Sequence, residues 1–306
     1  MRFMPSHEGS PASKEKSYQS IDDIRLQEVE EDAAEYVVRV GLDTPPSEIE
    51  TRIKRELEKR FWWLNKEWQE KGPPKEQIEI ASRDAKLVVY NFGDVLSPER
   101  TQELQDAFTL LQGSLTENKI ADIPPYCLIN NESATNTKTG EDLSGNSPPK
   151  LNAIVLYPRS LSQKEHRILG VSNFEGTYLH EVAHCLQDQD FQKEWREKFE
   201  WKINNEEGAS GQPHQFYVNT RPELVPNSYA SLDPQEDISD SFVAAMKNPG
   251  AIDPARVEFI KRYWLREGEK VDCAIERKTD SEITLPSKES FAYAVVRRSG
   301  APAFKI

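Results

Sequence analysis

Residues 180–184 read His-Glu-Val-Ala-His, and this stretch decides how the rest of the chain is interpreted. Positions four apart lie on one face of a helix, so His180 and His184 can bind one metal ion through their imidazoles. Glu181 lies beside them, where its carboxylate can take a proton from a water bound to that metal. This arrangement is typical of zinc sites that catalyse hydrolysis. The alternative is a solvated helix that carries two surface histidines.

The residues around the motif favour the metal. Ser172 and Glu175 have the spacing of a capping box, which predicts that the helix begins about two turns before His180. The chain contains only 5 histidines, and two of them belong to this motif. A zinc-binding helix should be largely buried, and the motif has apolar neighbours at Phe174, Tyr178, Leu179, Val182, Ala183 and Leu186. We therefore predict a site for one zinc ion.

A catalytic zinc needs a third protein ligand and one position left open for water, and the sequence offers two candidates for that ligand. Asp190 has the spacing of the third ligand in the metzincin pattern, but that pattern makes its tight turn at a glycine, where this chain has Gln187. Glu236 lies on a second predicted helix, with Asp233 as its cap and Pro234 at its first position. We favour Glu236.

The second helix carries another carboxylate with a separate use. Asp240 follows Glu236 by one helical turn, so it can accept a hydrogen bond from a zinc-binding histidine and fix its tautomer. Glu236 also stands three residues after Asp233, where a capping-box glutamate belongs. A role as a helix cap is therefore the alternative for Glu236.

At these two helices the chain resembles the gluzincin metallopeptidases. A His-Glu-x-x-His motif followed by Glu-x-x-x-Asp on a second helix is their pattern, and residues 236–240 are similar to the corresponding helix of thermolysin-type enzymes. The closer resemblance is to anthrax lethal factor and the Pro-Pro endopeptidases, in which a tyrosine lies seven residues before the zinc-binding glutamate. Tyr229 has that spacing here. The chain departs from lethal factor at Asp240, where lethal factor has the longer glutamate.

The resemblance implies roles for particular residues. His180, His184 and Glu236 would be the zinc ligands and Glu181 the general base. Tyr229 would stabilise the transition state at the open zinc position. Asp240 would accept a hydrogen bond from one of the zinc-binding histidines. Thermolysin-like enzymes use a histidine in place of that tyrosine, and His214 is the alternative here, although it lacks the family spacing.

The resemblance also implies an α+β fold: a zincin-like domain with a small mixed sheet and the metal-binding helix, preceded by N-terminal helices. We predict disorder at residues 1–20, a helical region at 21–84, the catalytic domain at 85–266 and a small β appendage at 267–306. Within the catalytic domain we expect strands near 86–92, 125–129 and 151–157, a helix from 97 to about 111, and an exposed loop at 130–150. Residues 151–157 are the predicted sheet edge that binds an extended peptide.

Composition limits the partners. The chain has 306 residues and a net charge of −13. Because this negative charge would repel phosphate groups, it argues against binding to nucleic acid. No stretch approaches the ~18–20 apolar residues of a membrane helix. The N-terminus lacks the apolar run of a secretory signal, and 3 cysteines fit a reducing compartment. These features predict a cytoplasmic protein, secreted only if a signal has been removed.

The sequence therefore predicts a zinc metallopeptidase that hydrolyses bonds in peptides or proteins. Two alternatives stay open. The chain can be a zinc hydrolase of a non-peptide amide or ester, or a zincin-fold binding protein that has lost catalysis. An intact Glu181 argues against the inactive form.

Overall fold

The structure of the protein is a computed structural model, and it describes residues 70–82, 85–135, 142–148, 153–207 and 213–266, with 268, 271, 273–279 and 283. The predicted disorder at residues 1–20 and the helices predicted before residue 70 lie outside the described residues. So does most of the predicted C-terminal appendage.

The described part of the chain has an α+β fold, with one mixed sheet, a separate two-stranded hairpin and several helices. The strands are β1 (Glu76–Ala81), β2 (Lys86–Asn91), β3 (Tyr126–Ile129), β4 (Gly145–Asn146), β5 (Ala153–Leu156), β6 (Trp201–Glu207), β7 (Pro213–Asn219) and β8 (Ala274–Thr279). The α-helices are α1 (Pro98–Ser114), α2 (Glu117–Ala121), α3 (Pro158–Ser162), α4 (Asn173–Leu186), α5 (Gln189–Lys198), α6 (Pro234–Lys247) and α7 (Pro254–Trp264).

The main sheet has six strands in the order β4-β5-β3-β2-β1-β8. Strands β2, β3 and β5 are parallel, whereas β4 pairs antiparallel with β5 and β1 pairs antiparallel with both β2 and β8. Strands β6 and β7 form the separate antiparallel hairpin between α5 and α6.

Both faces of the sheet are covered, because the central strands alternate between two apolar clusters. In β2, Leu87 and Val89 face the large core beneath the helices, whereas Val88 and Tyr90 belong to a smaller cluster on the opposite face. Ile283 packs on that smaller cluster. A strand buried on both faces reads as a continuous apolar run, as residues 87–90 do.

The sheet edge differs from the prediction. Strand β5 is paired on both sides, so residues 151–157 do not form the edge. The edge strand is β4, which lies in the segment predicted as an exposed loop and pairs Gly145 with Leu156. β4 is only two residues long, which is too short to produce a recognisable periodicity.

One end of the main sheet brings together distant parts of the sequence. Strand β1 lies inside the 21–84 segment that was predicted to be helical. Strand β8 lies inside the predicted C-terminal appendage, and it pairs with β1 in the main sheet. Arg277 on β8 contacts the buried carboxylate of Glu76 on β1, with 3.1 Å between Nε and Oε1.

Three predicted helix starts are confirmed by side-chain caps. Ser172 accepts a hydrogen bond from the backbone N–H of Glu175 at the start of α4, and Asp233 accepts one from Gln235 at the start of α6. Ser97 caps α1 in the same way, and α1 continues to Ser114, beyond its predicted end. Among the residues that the structure describes, no helix is both long and apolar enough to cross a membrane.

Candidate metal centre

Helices α4 and α6 pack side by side and antiparallel, and contacts at both ends fix this alignment. Near the start of α4, Glu175 pairs with Lys247 at the end of α6, with 2.7 Å between Oε1 and Nζ. After the end of α4, Gln187 donates from Nε2 to the backbone oxygen of Gln235 and to Ser239 Oγ. The second half of α4, with the histidine motif, therefore faces the first half of α6.

Three side chains converge where the two helices face each other. Oε2 of Glu236 lies 3.0 Å from Nε2 of His180 and 3.5 Å from Nε2 of His184. The two Nε2 atoms are 3.1 Å apart. These three donor atoms form a nearly equilateral triangle, and these are the residues that the sequence selected as zinc ligands.

The dimensions of the triangle fit a tetrahedral metal. Zinc–nitrogen and zinc–carboxylate bonds of ~2.0–2.1 Å place two ligand atoms about 3.3–3.4 Å apart at a tetrahedral angle. The three edges, at 3.0, 3.1 and 3.5 Å, bracket that value. Oε2 of Glu236 is buried and has no hydrogen-bond partner among the described residues. A buried carboxylate oxygen that faces two imidazole nitrogens needs a cation or a proton between them.

The charges around the triangle favour a positive group at this place. Burial alone would lower the pKa of His180, but the carboxylates of Asp240 and Glu236 raise it to about 10. Burial would raise the pKa of Glu236, but the nearby His184 and His180 hold it well below its usual range. Zinc would have to displace such a proton, because ligating imidazoles are neutral.

The triangle is partly exposed. The side chain of His180 is only 4% exposed, whereas those of His184 and Glu236 are 20% and 22% exposed. A structural zinc site is closed by four protein ligands, but a catalytic one leaves a position for water or substrate. The partial exposure of two of the three side chains is consistent with an accessible fourth position.

Asp240 lies behind His180, as predicted. Its Oδ1 is 2.7 Å from Nδ1 of His180, so Nδ1–H donates to the carboxylate and Nε2 is left to face the triangle. The aspartate side chain, although shorter than the glutamate of lethal factor, therefore reaches the histidine. Burial would raise the pKa of Asp240, but the neighbouring His180 lowers it, so the carboxylate is charged.

Three further residues surround Asp240, and the sequence did not reveal them as part of the site. Asn227 donates from Nδ2 to Oδ2 at 2.8 Å, and Arg167 donates from Nε and Nη2 at 3.3 and 3.4 Å. His166 is buried, and its Nε2 lies 4.0 Å from Oδ1 with no hydrogen-bond partner among the described residues. Nδ1 of His166 accepts a hydrogen bond from the N–H of Ile168, which assigns the proton to Nε2.

His166, His180 and Asp240 are a second group whose potential ligand atoms lie close together. However, the 2.7 Å separation between Nδ1 of His180 and Oδ1 of Asp240 is a hydrogen-bond distance, shorter than two ligand atoms on one zinc require. We therefore assign these three residues to the hydrogen-bond network behind the triangle.

Glu181 is buried beside the triangle, where burial raises the pKa of its carboxyl group. The edge strand β4 lies directly against it. A Cβ added at Gly145 would come within 2.8 Å of Glu181 Cγ and 2.7 Å of Thr177 Cγ2, so only glycine allows this close approach. A hydrogen bond from Ser147, just after β4, partly offsets the effect of burial on the pKa of Glu181.

The ring of Tyr229 lies near that of His180, with 6.2 Å between the two ring centroids. Burial and the charge of Glu236 raise the pKa of its hydroxyl group, so it stays protonated and can donate a hydrogen bond. His214 lies in β7, but its side chain is outside the described residues. Asp190 is exposed in the first turn of α5 and belongs to neither group of potential metal ligands among the described residues.

Comparison of the chain with protein-family models, with curated proteins and with solved structures finds no match in any of the three.

Proposed function

We propose that this chain is a zinc-dependent endopeptidase with a zincin-like catalytic domain, in which His180, His184 and Glu236 bind one zinc ion. The observation that supports the proposal most strongly is the triangle of donor atoms with edges of 3.0, 3.1 and 3.5 Å. Two histidines one turn apart and a carboxylate from a second helix are a ligand set that zinc prefers, and the side chain behind one histidine is a carboxylate.

The edge strand β4 supports a peptide as the substrate class. Within the described residues, β4 pairs with β5 on one side only, so its other side offers backbone N–H and C=O groups. An extended peptide can add to such an edge by main-chain hydrogen bonds. Because Gly145 of β4 contacts Glu181, a peptide bound there would run past the triangle and the base.

The residues of the chain have separate tasks in the proposed reaction. When bound, zinc lowers the pKa of water towards ~7 and polarises the scissile carbonyl. Glu181 accepts the proton of the attacking water and returns it to the leaving amine, and its raised pKa suits both transfers. Tyr229 donates a hydrogen bond to the developing oxyanion, an interaction whose loss commonly lowers the rate by about 10²–10³.

Metal analysis of the purified chain tests the ligand set. We expect about one zinc per chain, lost in His180→Ala, His184→Ala and Glu236→Ala. Asp190→Ala is the matched control, because it removes an exposed carboxylate that lies outside the triangle, and it should keep its zinc. Full zinc in the double histidine variant would refute the metal site, and loss of zinc in Asp190→Ala alone would indicate a different third ligand.

Cleavage of a peptide library, with and without a chelator, tests the activity. Glu181→Gln should retain zinc and lose turnover, since it removes the base and no ligand. Tyr229→Phe should retain zinc and lower kcat more than it raises KM. Turnover of esters or small amides with no peptide cleavage would favour the non-peptide hydrolase, and zinc binding without any turnover would favour a binding protein.

A further inference from the structure

Asp240 makes more contacts than the support of His180 requires. One oxygen, Oδ1, accepts the hydrogen bond from His180 at 2.7 Å. The other, Oδ2, accepts from Asn227 and Arg167, which lie in two different loops. Asp240 itself is fully buried, so these donors hold a charge in a fixed position. Both loops are thereby anchored to the carboxylate that orients a candidate zinc ligand.

Asn227 continues the connection to the backbone of Tyr229. While its Nδ2 donates to Asp240, its Oδ1 accepts hydrogen bonds from the backbone N–H groups of Tyr229 and Ala230, both at 3.0 Å. An amide side chain that donates on one side and accepts on the other ties the start of this turn to Asp240. The backbone of Tyr229 is therefore held at a fixed distance from the carboxylate.

Arg167 continues the connection to the ring of Tyr229. Its guanidinium carbon lies 3.9 Å from the centroid of that ring, which is close contact for a cation over an aromatic face. The same guanidinium donates to both oxygens of Asp240. A planar guanidinium can stack and donate at once, whereas a lysine ammonium cannot.

These contacts form a closed circuit: Asp240, Asn227, Tyr229, Arg167 and back to Asp240. We propose that Arg167 and Asn227 are positioning residues that hold the Tyr229 hydroxyl at the reaction centre, with Asp240 as an anchor shared by His180 and Tyr229. The inference rests on the proposed role of Tyr229 in the peptidase reaction. It also explains why a partly exposed arginine is directed at a carboxylate that His180 already engages.

The circuit predicts which kinetic constant changes. A loosened Tyr229 loses part of a hydrogen bond made in the transition state, so kcat should fall while KM changes little. Zinc affinity should fall less than kcat, because the 2.7 Å hydrogen bond between His180 and Asp240 remains when Arg167 is replaced. In Arg167→Met we expect kcat to fall by about 10-fold or more, a fraction of the 10²–10³ lost with a whole oxyanion donor.

Fluorine NMR of the chain labelled with 3-fluorotyrosine tests the positioning without relying on activity. The chain has 10 tyrosines, and the Tyr229 signal is assigned by its absence in Tyr229→Phe. That signal should move in both Arg167→Met and Asn227→Ala, with or without zinc. Arg196→Met is the control, since the guanidinium carbon of Arg196 lies 5.6 Å from the ring centroid of Tyr217 in a more distant cation–aromatic pair outside the site. An unmoved Tyr229 signal overturns the inference.

A double-variant cycle then separates positioning from general damage. Arg167→Met should lower kcat in the wild-type background but not in Tyr229→Phe, where the group that it positions is already missing. Arg167→Lys keeps the charge but not the stacking plane, so it should restore only part of the rate. An equal loss of kcat in both backgrounds would overturn the inference. Absence of turnover in the wild-type chain would instead contradict the proposed function, and the fluorine signal would still decide the positioning.

Discussion

Asp237 forms a buried polar cluster on the side of α6 away from the histidines, and it provides a quantitative test of the fold. Both of its oxygens are buried, and they accept five hydrogen bonds. Four of the donor atoms lie at 3.0 Å: Nε1 of Trp195, Nε1 of Trp201, and Nε and Nη2 of Arg256. Ser241 Oγ is the fifth, at 3.3 Å. The donors belong to α5, β6, α7 and α6 itself, so one carboxylate joins four elements.

The expected cost of Asp237→Ala follows from what it leaves behind. The side chain of Arg256 is only 1% exposed, so the substitution strands a buried positive charge, which typically costs ~3–5 kcal/mol. Two buried indole N–H groups also lose their acceptor, at ~1–3 kcal/mol each when no water replaces it. Asp253 lies 3.6 Å from Nη1 of Arg256 and compensates part of the charge. We expect a net loss of about 4 kcal/mol in the free energy of unfolding.

Urea unfolding, followed by tryptophan fluorescence in the presence of a chelator, measures this loss. A domain is typically stable by only ~5–15 kcal/mol, so the midpoint should shift clearly. Glu258→Ala is the control, because it breaks an exposed carboxylate–lysine pair on α7 that should contribute no more than ~1 kcal/mol. The second substitution Arg256→Met, added to Asp237→Ala, should restore stability, since no buried charge then lacks a partner.

The restoration is the decisive result. If the double variant is less stable than Asp237→Ala alone, the cost does not come from a stranded charge. If Asp237→Ala costs no more than Glu258→Ala, the buried cluster does not hold the four elements together.

Two glycine substitutions test close approaches around the site, and Gly250→Ala is the control for both, because its added Cβ would meet nothing nearer than 3.9 Å. Gly176→Ala would bring its Cβ within 2.5 Å of the buried ring of His166. Although alanine has the better helix propensity, we expect the free energy of unfolding in urea to fall by ~1–3 kcal/mol. Unchanged stability would contradict the close packing of Gly176 on His166. Gly145→Ala would push β4 away from Glu181, so kcat should fall by about 10-fold or more while zinc content stays constant; normal turnover would show that β4 does not support the base.

The parts of the fold that the sequence predicted are those fixed by local chemistry. Ser172 and Asp233 were recognisable as caps because a cap bonds an N–H only two or three residues away. The spacing of His180 and His184 needed only the period of a helix. Asp240 was predicted from its place one turn after Glu236, and the contact at 2.7 Å agrees with that prediction.

The missed residues depend on contacts between distant segments. Arg167 and Asp240 are 73 positions apart, and no local pattern indicates that the two meet. His166 and Arg167 lie in a polar stretch with no periodicity, and Asn227 resembles an ordinary turn residue. Asn227 nevertheless stands two positions before Tyr229, and an asparagine often accepts a hydrogen bond from the backbone two residues on. The sequence therefore contained a local indication of the contact between Asn227 and the backbone of Tyr229.

The composition of β5 itself indicated that this strand is not the edge of the sheet. Residues 153–156 read Ala-Ile-Val-Leu and are all buried, and an uninterrupted apolar run is typical of a central parallel strand rather than an edge. The true edge at Gly145 is recognisable only once Glu181 and Thr177 are in position beneath it, because it is the lack of a side chain that allows β4 to pack there.

Helix α6 has two tasks on two faces, and this connects the stability of the domain with its chemistry. Glu236 and Asp237 are consecutive, so their side chains leave the helix about 100° apart. One contributes to the triangle with α4, and the other is held by donors from α5, β6 and α7. A change at Asp237 can therefore shift Glu236 relative to the histidines and weaken metal binding as well as folding. A change at Arg167 loosens Tyr229 but leaves the hydrogen bond between His180 and Asp240 in place, so it should lower zinc affinity less than a change at Asp237 does.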